Sequence, residues 1–338
     1  MADTQRMGRH YRTPPRRFRS RAKLKVTIVA IGIIIAIVIS FAVYSLGNLS
    51  KTPPPARSGK SSGSQTAPHY IGLYAPGVPD SYVGVKAFTK ATGVEPGVVV
   101  YYSGWLEPFQ TSFATTAANN GAVPLVQIDP KKIDIAEIAS GRYDNYLISY
   151  AKAVRAYRHQ VILSFGHEMN GYWYSWGYAH TSPSAFVDAW RHIVTLFRTL
   201  HVRNVTWLWT INTIHKHAKV PPPGPWWPGN SYVDWVGIDG YFTNSSSVFA
   251  SVFGPTIVYV RTLTHAPILI AETSATPIGS QPAKIADLFS GIHLYGLLGF
   301  VWFNSVYKVD WRLSSPAAIA AFRKAAKLYH RNAPEIGT

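Results

Sequence analysis

The chain contains no cysteine and only three methionines. Without cysteine it can form neither disulfide bridges nor thiolate metal sites. Acidic residues are scarce as well, with 16 Asp and Glu against 33 Lys and Arg and a formal net charge of +17. A surplus of that size suggests nucleic acid as a partner, but its placement argues otherwise. Residues 1–67 carry twelve basic residues and the single acid Asp3, which leaves 21 basic and 15 acidic residues scattered over 68–338. The larger part of the chain is only mildly basic, and no nucleic-acid partner is expected. Also missing are a phosphate-binding loop, a Gly-x-Ser-x-Gly elbow and any internal repeat.

Aromatic residues, by contrast, are abundant, at 14% of the chain with 11 Trp and 20 Tyr. Sugar-binding clefts are one reason for such a content, because sugar rings have apolar faces and hydroxyl edges. The first 25 residues, with nine Arg and Lys from Arg6 to Lys25, cannot bury a core and are expected to be a basic cytoplasmic tail. Val26 to Leu46 carries no charge and is rich in Ile and Val. As a helix it is long enough to cross the ~30 Å hydrocarbon layer, so 26–46 reads as an uncleaved transmembrane signal anchor. The rest would then lie outside the cytoplasm, with a secreted form as the alternative if the segment is cleaved. Residues 47–68 turn to Gly, Ser, Pro and Thr, the composition of a linker.

From His69 to the end, short apolar runs alternate with longer segments of helical period, as in a parallel sheet wrapped by helices. Eight runs stand out: Tyr70 to Tyr74, Val98 to Tyr102, Pro124 to Ile128, Gln160 to Phe165, Val205 to Trp209, Val233 to Asp239, Pro267 to Ala271 and Gly299 to Phe303. Helices are predicted over Ser81 to Thr92, Phe109 to Asn119, Tyr143 to Arg158, Ser184 to Leu200, Ser246 to Leu263, Pro282 to Leu294 and Pro316 to Tyr329. Eight strand-plus-helix units over 69–338 predict an α/β fold, a (β/α)8 TIM barrel. An open doubly wound sheet fits less well, since Tyr74-Ala-Pro-Gly-Val78 is not the Gly-rich turn that binds a nucleotide.

In such barrels chemistry sits at the C-terminal strand ends. Two carboxylates fall there: Glu168 after the fourth run and Glu272 after the seventh, three strands apart on a closed barrel. Four aromatics, Tyr172, Trp173, Tyr174 and Trp176, follow the first of them. Glycosidic bond cleavage needs such a pair, one carboxylic acid to protonate the departing oxygen and one carboxylate at the anomeric carbon.

His167-Glu-Met-Asn-Gly171 with Trp173 and Trp176-Gly177, Trp207-Leu-Trp209 with Asn212, Trp226-Trp-Pro-Gly229, Tyr232-Val-Asp-Trp-Val-Gly-Ile-Asp-Gly-Tyr241 and Val301-Trp-Phe-Asn304 with Asp310-Trp-Arg312 together resemble glycoside hydrolase family 26, in the family's order. The resemblance implies a retaining glycosidase, most often an endo-β-1,4-mannanase, with β-1,3-xylanase and mixed-linkage β-glucanase as alternatives. A non-hydrolytic polysaccharide-binding or transglycosylating protein on the same scaffold stays open. The resemblance makes Glu168 the acid/base and Glu272 the nucleophile, and Tyr241 the hydroxyl that orients Glu272. It makes Trp302 the platform under the sugar, with His167 and Trp173 beside the same subsite. Trp105, Asp239 and Trp226 are further cleft candidates. One departure stands out: the family's Arg-Pro and a further residue before His-Glu are here Ser164-Phe-Gly166, which bears on the inner subsite and the preferred sugar. No cofactor is expected, and His215 and His217 read as loop residues because no third ligand lies near them in sequence. The expected partners are a β-linked polysaccharide or oligosaccharide substrate and, through 26–46, the membrane, with the protein working as a monomer.

Overall fold

A computed structural model describes residues 70–214, 219–277 and 280–331. The basic tail, the apolar run 26–46, the linker, and His215 and His217 lie outside the described residues. Eight parallel strands close into a barrel in sequence order. They are β1 (Tyr70–Tyr74), β2 (Val98–Gly104), β3 (Val123–Asp129), β4 (Val161–Phe165), β5 (Val205–Asn212), β6 (Trp235–Asp239), β7 (Ile268–Thr273) and β8 (Gly299–Phe303). The ring closes where β8 returns to β1, from Tyr70 opposite Gly299 to Tyr74 opposite Phe303.

Alternation along each strand divides the apolar residues between two cores. Val98, Val100, Leu125, Ile162, Leu208, Leu269, Ala271 and Val301 fill the barrel interior. Their neighbours, among them Val99, Leu163, Trp207, Trp209 and Phe300, face outward and pack under the helices. Burial on both sides explains why the strands read as continuous apolar runs. Each such Val, Leu or Ile contributes about 1.5–3 kcal/mol when fully buried.

The outer layer is formed by α1 (Val83–Thr92), α2 (Thr111–Asn119), α3 (Ala136–Ala139), α4 (Asp144–Tyr157), α5 (Pro183–Thr199), α6 (Phe249–Val252), α7 (Gly254–Leu263), α8 (Gln281–Leu294) and α9 (Pro316–Arg331). Helix α5 starts where its sequence dictates. The Ser182 hydroxyl accepts from the Ala185 N–H at 3.2 Å and Pro183 occupies the first turn. The single helix expected over 246–263 is instead two. Pro255 opens α7, and a proline lacks the N–H that would continue the preceding helix through Phe253 and Gly254. Beyond β8 the chain adds an antiparallel hairpin, β9 (Val306–Tyr307) and β10 (Val309–Asp310).

Candidate active site

Strand β4 ends in a sharp turn that lifts Glu168 into the barrel mouth. Gly166 lies at φ 57° and Glu168 itself at φ 54°, the left-handed region that a glutamate rarely enters. A side chain at 166 would also meet the Phe186 ring at 2.9 Å. The turn is sewn to β5. Glu168 N–H donates to Thr210 O at 3.0 Å, and Asn170 bonds the Asn212 backbone twice, accepting from its N–H at 2.8 Å and donating to its carbonyl at 2.9 Å. Trp176 Nε1–H donates to the His167 carbonyl at 2.7 Å.

These contacts set the Glu168 carboxyl between two nitrogen donors. Asn212 Nδ2 donates to Oε1, and Trp173 Nε1 donates to Oε2 at 2.7 Å. Burial raises the proton affinity of Glu168 above the ordinary carboxylate range; the charge of His167 opposes the rise, that of Glu272 adds to it, and the two hydrogen bonds oppose it. Glu272 is presented differently. It remains within β7, where the register shifts against both β6 and β8, and its carboxyl accepts from the hydroxyls of Tyr102 and Tyr241. Burial and the Glu272 charge hold both phenols protonated far beyond neutral pH, so both remain donors.

Asp239, the last residue of β6, lies between Asn212 of β5 and Glu272 of β7 in register. It is 0% exposed, and neither carboxyl oxygen has a hydrogen-bond partner among the described residues. Burial, then the charges of Glu272 and Glu168, raise its proton affinity well above the ordinary range. The place of the arginine in the family pattern is taken by Ser164, whose hydroxyl lies 2.9 Å from that of Thr210. Asp239 therefore receives no guanidinium from that position.

Of the nine residues expected at the site, the barrel brings Glu168, Glu272, His167, Trp173, Tyr241 and Asp239 together. His167 is buried, with Nδ1 3.0 Å from Asp129 Oδ1 and Nε2 3.2 Å from the Tyr174 hydroxyl. Both nitrogens are engaged by protein, so it supports the site from beside the cleft. Burial lowers its pKa, but the charges of Asp129, Glu168 and Glu272 raise it on balance. Trp173 is 41% exposed and fits a cleft wall.

Three expectations are corrected. Trp302 is 0% exposed and faces outward, its ring 5.7 Å from Phe322 of α9. Its neighbour Phe303 points into the mouth instead, stacked on Tyr74 at 4.7 Å. Trp105 packs edge-on against Tyr143, Tyr146 and Phe165 in the helix-facing layer. Trp226 is 4% exposed and belongs to the hydrophobic core under the helices. Four residues outside the expected site join it: Tyr102, Asp129, Tyr174 and Asn212. Trp311 joins the rim, its ring 4.5 Å from Tyr241. Among the described residues no group of three or more His, Cys, Asp or Glu could hold a metal ion.

A buried and a half-buried carboxyl group, both hydrogen-bonded and sharing an aromatic-walled barrel mouth, define the class: an enzyme acting on carbohydrate. The sequence model of glycosyl hydrolase family 26 matches residues 105–276, just over half of the chain, and the chain belongs to that family of glycoside hydrolases. It is similar to endoglucanase H of Acetivibrio thermocellus, 29% identical over 266 residues, covering 74% of this chain and 29% of the relative. It also resembles β-1,3-xylanase TXYA of a Vibrio species, 24% identical over 172 residues, covering 47% of this chain and 35% of the relative. The chain thus spans about a third of the length of these curated relatives. Among solved structures, a family 26 β-mannanase of Bacteroides ovatus superimposes with a TM-score of 0.59 at 15% identity, over 78% of this chain and 90% of that one. A Bacillus subtilis mannanase does so with a TM-score of 0.56 at 18% identity, over 75% and 85%. At those identities the likeness establishes the fold.

Proposed function

We propose that the protein is a retaining endo-β-glycanase of the β-1,4-mannanase type, working by double displacement. The observation that carries this reading is the unlike environment of the paired carboxyl groups. Glu168, whose burial favours the protonated form, gives its proton to the glycosidic oxygen. Glu272, fixed by the Tyr102 and Tyr241 hydroxyls, attacks the anomeric carbon and forms a glycosyl ester. Once Glu272 is esterified its charge is gone, and Glu168 can take a proton from the incoming water. Tyr74, Phe303 and Trp311 form the sugar platform in place of Trp302.

The same reading keeps residues 26–46 as a membrane anchor, with the barrel outside the cytoplasm. Its support is the uncharged run of 21 residues behind a cluster of arginines. The experiment is to incubate residues 69–338 with β-mannan, β-1,3-xylan and mixed-linkage β-glucan and follow the new reducing ends by proton NMR. Short β-configured products from mannan are expected. First-formed α-anomers would overturn retention, and cleavage of xylan or glucan alone would move the substrate while leaving the mechanism.

A further inference from the structure

The two ends of the barrel differ in charge. Around a ring of parallel strands each helix runs back against them, so the helix C-termini and the turns that follow lie at the end opposite the mouth. Exposed cations gather there: Lys90 in the last turn of α1, Lys324 and Lys327 in the second half of α9, Lys152 in the second half of α4 and Arg198 in the last turn of α5. Arg158 and Arg203 extend the set into the turns before β4 and β5. Of the acidic residues described, only Glu95 and Asp234 share this end. The others lie in strand ends, loops and first halves of helices on the mouth side.

These cations form two footings on opposite sides of the ring, since β8 and β1 lie across it from β4 and β5. Both footings are tied down. Arg323 of α9 donates to the carbonyls of Ala91 and Thr92 at the end of α1, at 2.7 and 3.2 Å. On the far side Asn204 donates to the carbonyls of Val154 and His159, each at 2.8 Å. None of the cations named forms an ion pair among the described residues. Helix dipoles favour a cation in a last turn, but like charges gathered on one end repel, and a negatively charged surface relieves that repulsion.

The chain enters β1 at Tyr70 on this same end, and only residues 47–69 separate it in sequence from the run proposed above as a membrane anchor. We propose that the end of the barrel opposite the mouth is a docking surface for a bilayer containing anionic lipid. Seated by both footings, the barrel directs its mouth away from the bilayer, where a polysaccharide chain can reach it. The choice of lipid over another polyanion rests on the reading of 26–46 as an anchor.

Residues 69–338 contain the closed barrel with both its cores and serve for the test. Their co-sedimentation with vesicles of equal parts phosphatidylglycerol and phosphatidylcholine is compared with that on phosphatidylcholine alone, and binding is expected only to the mixed vesicles. Each Lys or Arg near an anionic bilayer strengthens binding about fivefold. Lys324→Gln with Lys327→Gln, and separately Arg158→Gln with Arg203→Gln, should therefore each weaken binding by about 30-fold at low salt. Lys132→Gln with Lys308→Gln makes the same change in net charge at exposed positions on the mouth side and should leave binding as it is. Equal binding to both kinds of vesicle, binding to neither, or equal losses from the two ends would overturn the proposal. So would a preference for soluble polygalacturonate over the vesicles, which would give this surface an acidic polymer as its partner. The anchor reading fails on a different result: full chain stripped from cell membranes by high salt would show that 26–46 does not hold it there and that this surface does.

Discussion

The ends of β4 and β7 both deliver a glutamate to the mouth, by different means. At β4 the chain leaves the strand through two left-handed residues, and Glu168 is held by nitrogen donors from Asn212 and Trp173, with His167 and Asp129 beside it. At β7 the strand itself carries Glu272 at a register shift, and two tyrosine hydroxyls hold it. The first arrangement has neighbours of both charge signs and a raised proton affinity, so its proton can be tuned. The second is a fixed carboxyl in a rigid strand. In the proposed double displacement an acid/base must exchange a proton, whereas a nucleophile must hold its position, and the two environments support that division of roles.

The strongest way to break this comparison is to remove each glutamate and offer azide. Loss of the acid/base costs about 10²- to 10⁴-fold on a substrate whose leaving group needs a proton, and Glu272→Ala should be the more severe change. The azide products then differ. In Glu272→Ala azide enters from the face the carboxylate used and gives the α-glycosyl azide. In Glu168→Ala it intercepts the glycosyl ester and gives the β-glycosyl azide. The reverse pairing of products, read by NMR, would exchange the roles of the two strand ends.

The strands were legible because burial on both faces leaves apolar runs with few interruptions, and β1 and β8 have the bounds expected from the sequence. The apolar criterion failed at β5. That strand continues past Trp209 through Thr210 and Asn212, whose inward side chains are polar because they reach the mouth. Asn212, a partner of Glu168, was visible in the family-like motif but received no role there for the same reason. The period of two explains the Trp302 correction: one step along β8 moves a ring from the helix layer to the cleft, and Phe303 holds the inward phase. Phase could also have found Tyr102 and Asp129. Tyr102 follows Val98 and Val100, and Asp129 follows Leu125 and Gln127, on the inward side of strands that end at the mouth. Nothing local distinguishes Trp105 and Trp226 from cleft tryptophans, since their environments are made by Tyr143, Tyr146 and other residues distant in sequence.

A smaller effect sharpens the β4 side alone. Asp129 favours the charged form of His167, and that charge lowers the proton affinity of Glu168. Asp129→Asn should leave His167 more often neutral, so Glu168 keeps its proton to higher pH. The alkaline limb of kcat/KM should move upward, while Asp129→Glu should restore it toward wild type. A limb that does not move in Asp129→Asn would remove the Asp129 and His167 pair from the account of how Glu168 is tuned.

The smallest effect concerns the carboxyl group between the two strand ends. Asp239 is buried without a hydrogen-bond partner among the described residues, beside two other carboxyl groups, and its proton affinity in the folded protein is raised. A carboxyl whose folded pKa lies above its unfolded value, about 3.9, contributes fully to stability below that value. The contribution is lost as pH rises through the folded pKa, because the folded protein must hold a proton that the unfolded chain releases. Asparagine matches the neutral acid in shape and carries no proton to hold. Asp239→Asn should therefore melt with wild type near pH 4 and progressively above it as pH rises, with a modest change in turnover. Melting temperatures across that range decide the matter: a wild type that gains on the variant with rising pH would mean that Asp239 is ionised and paired.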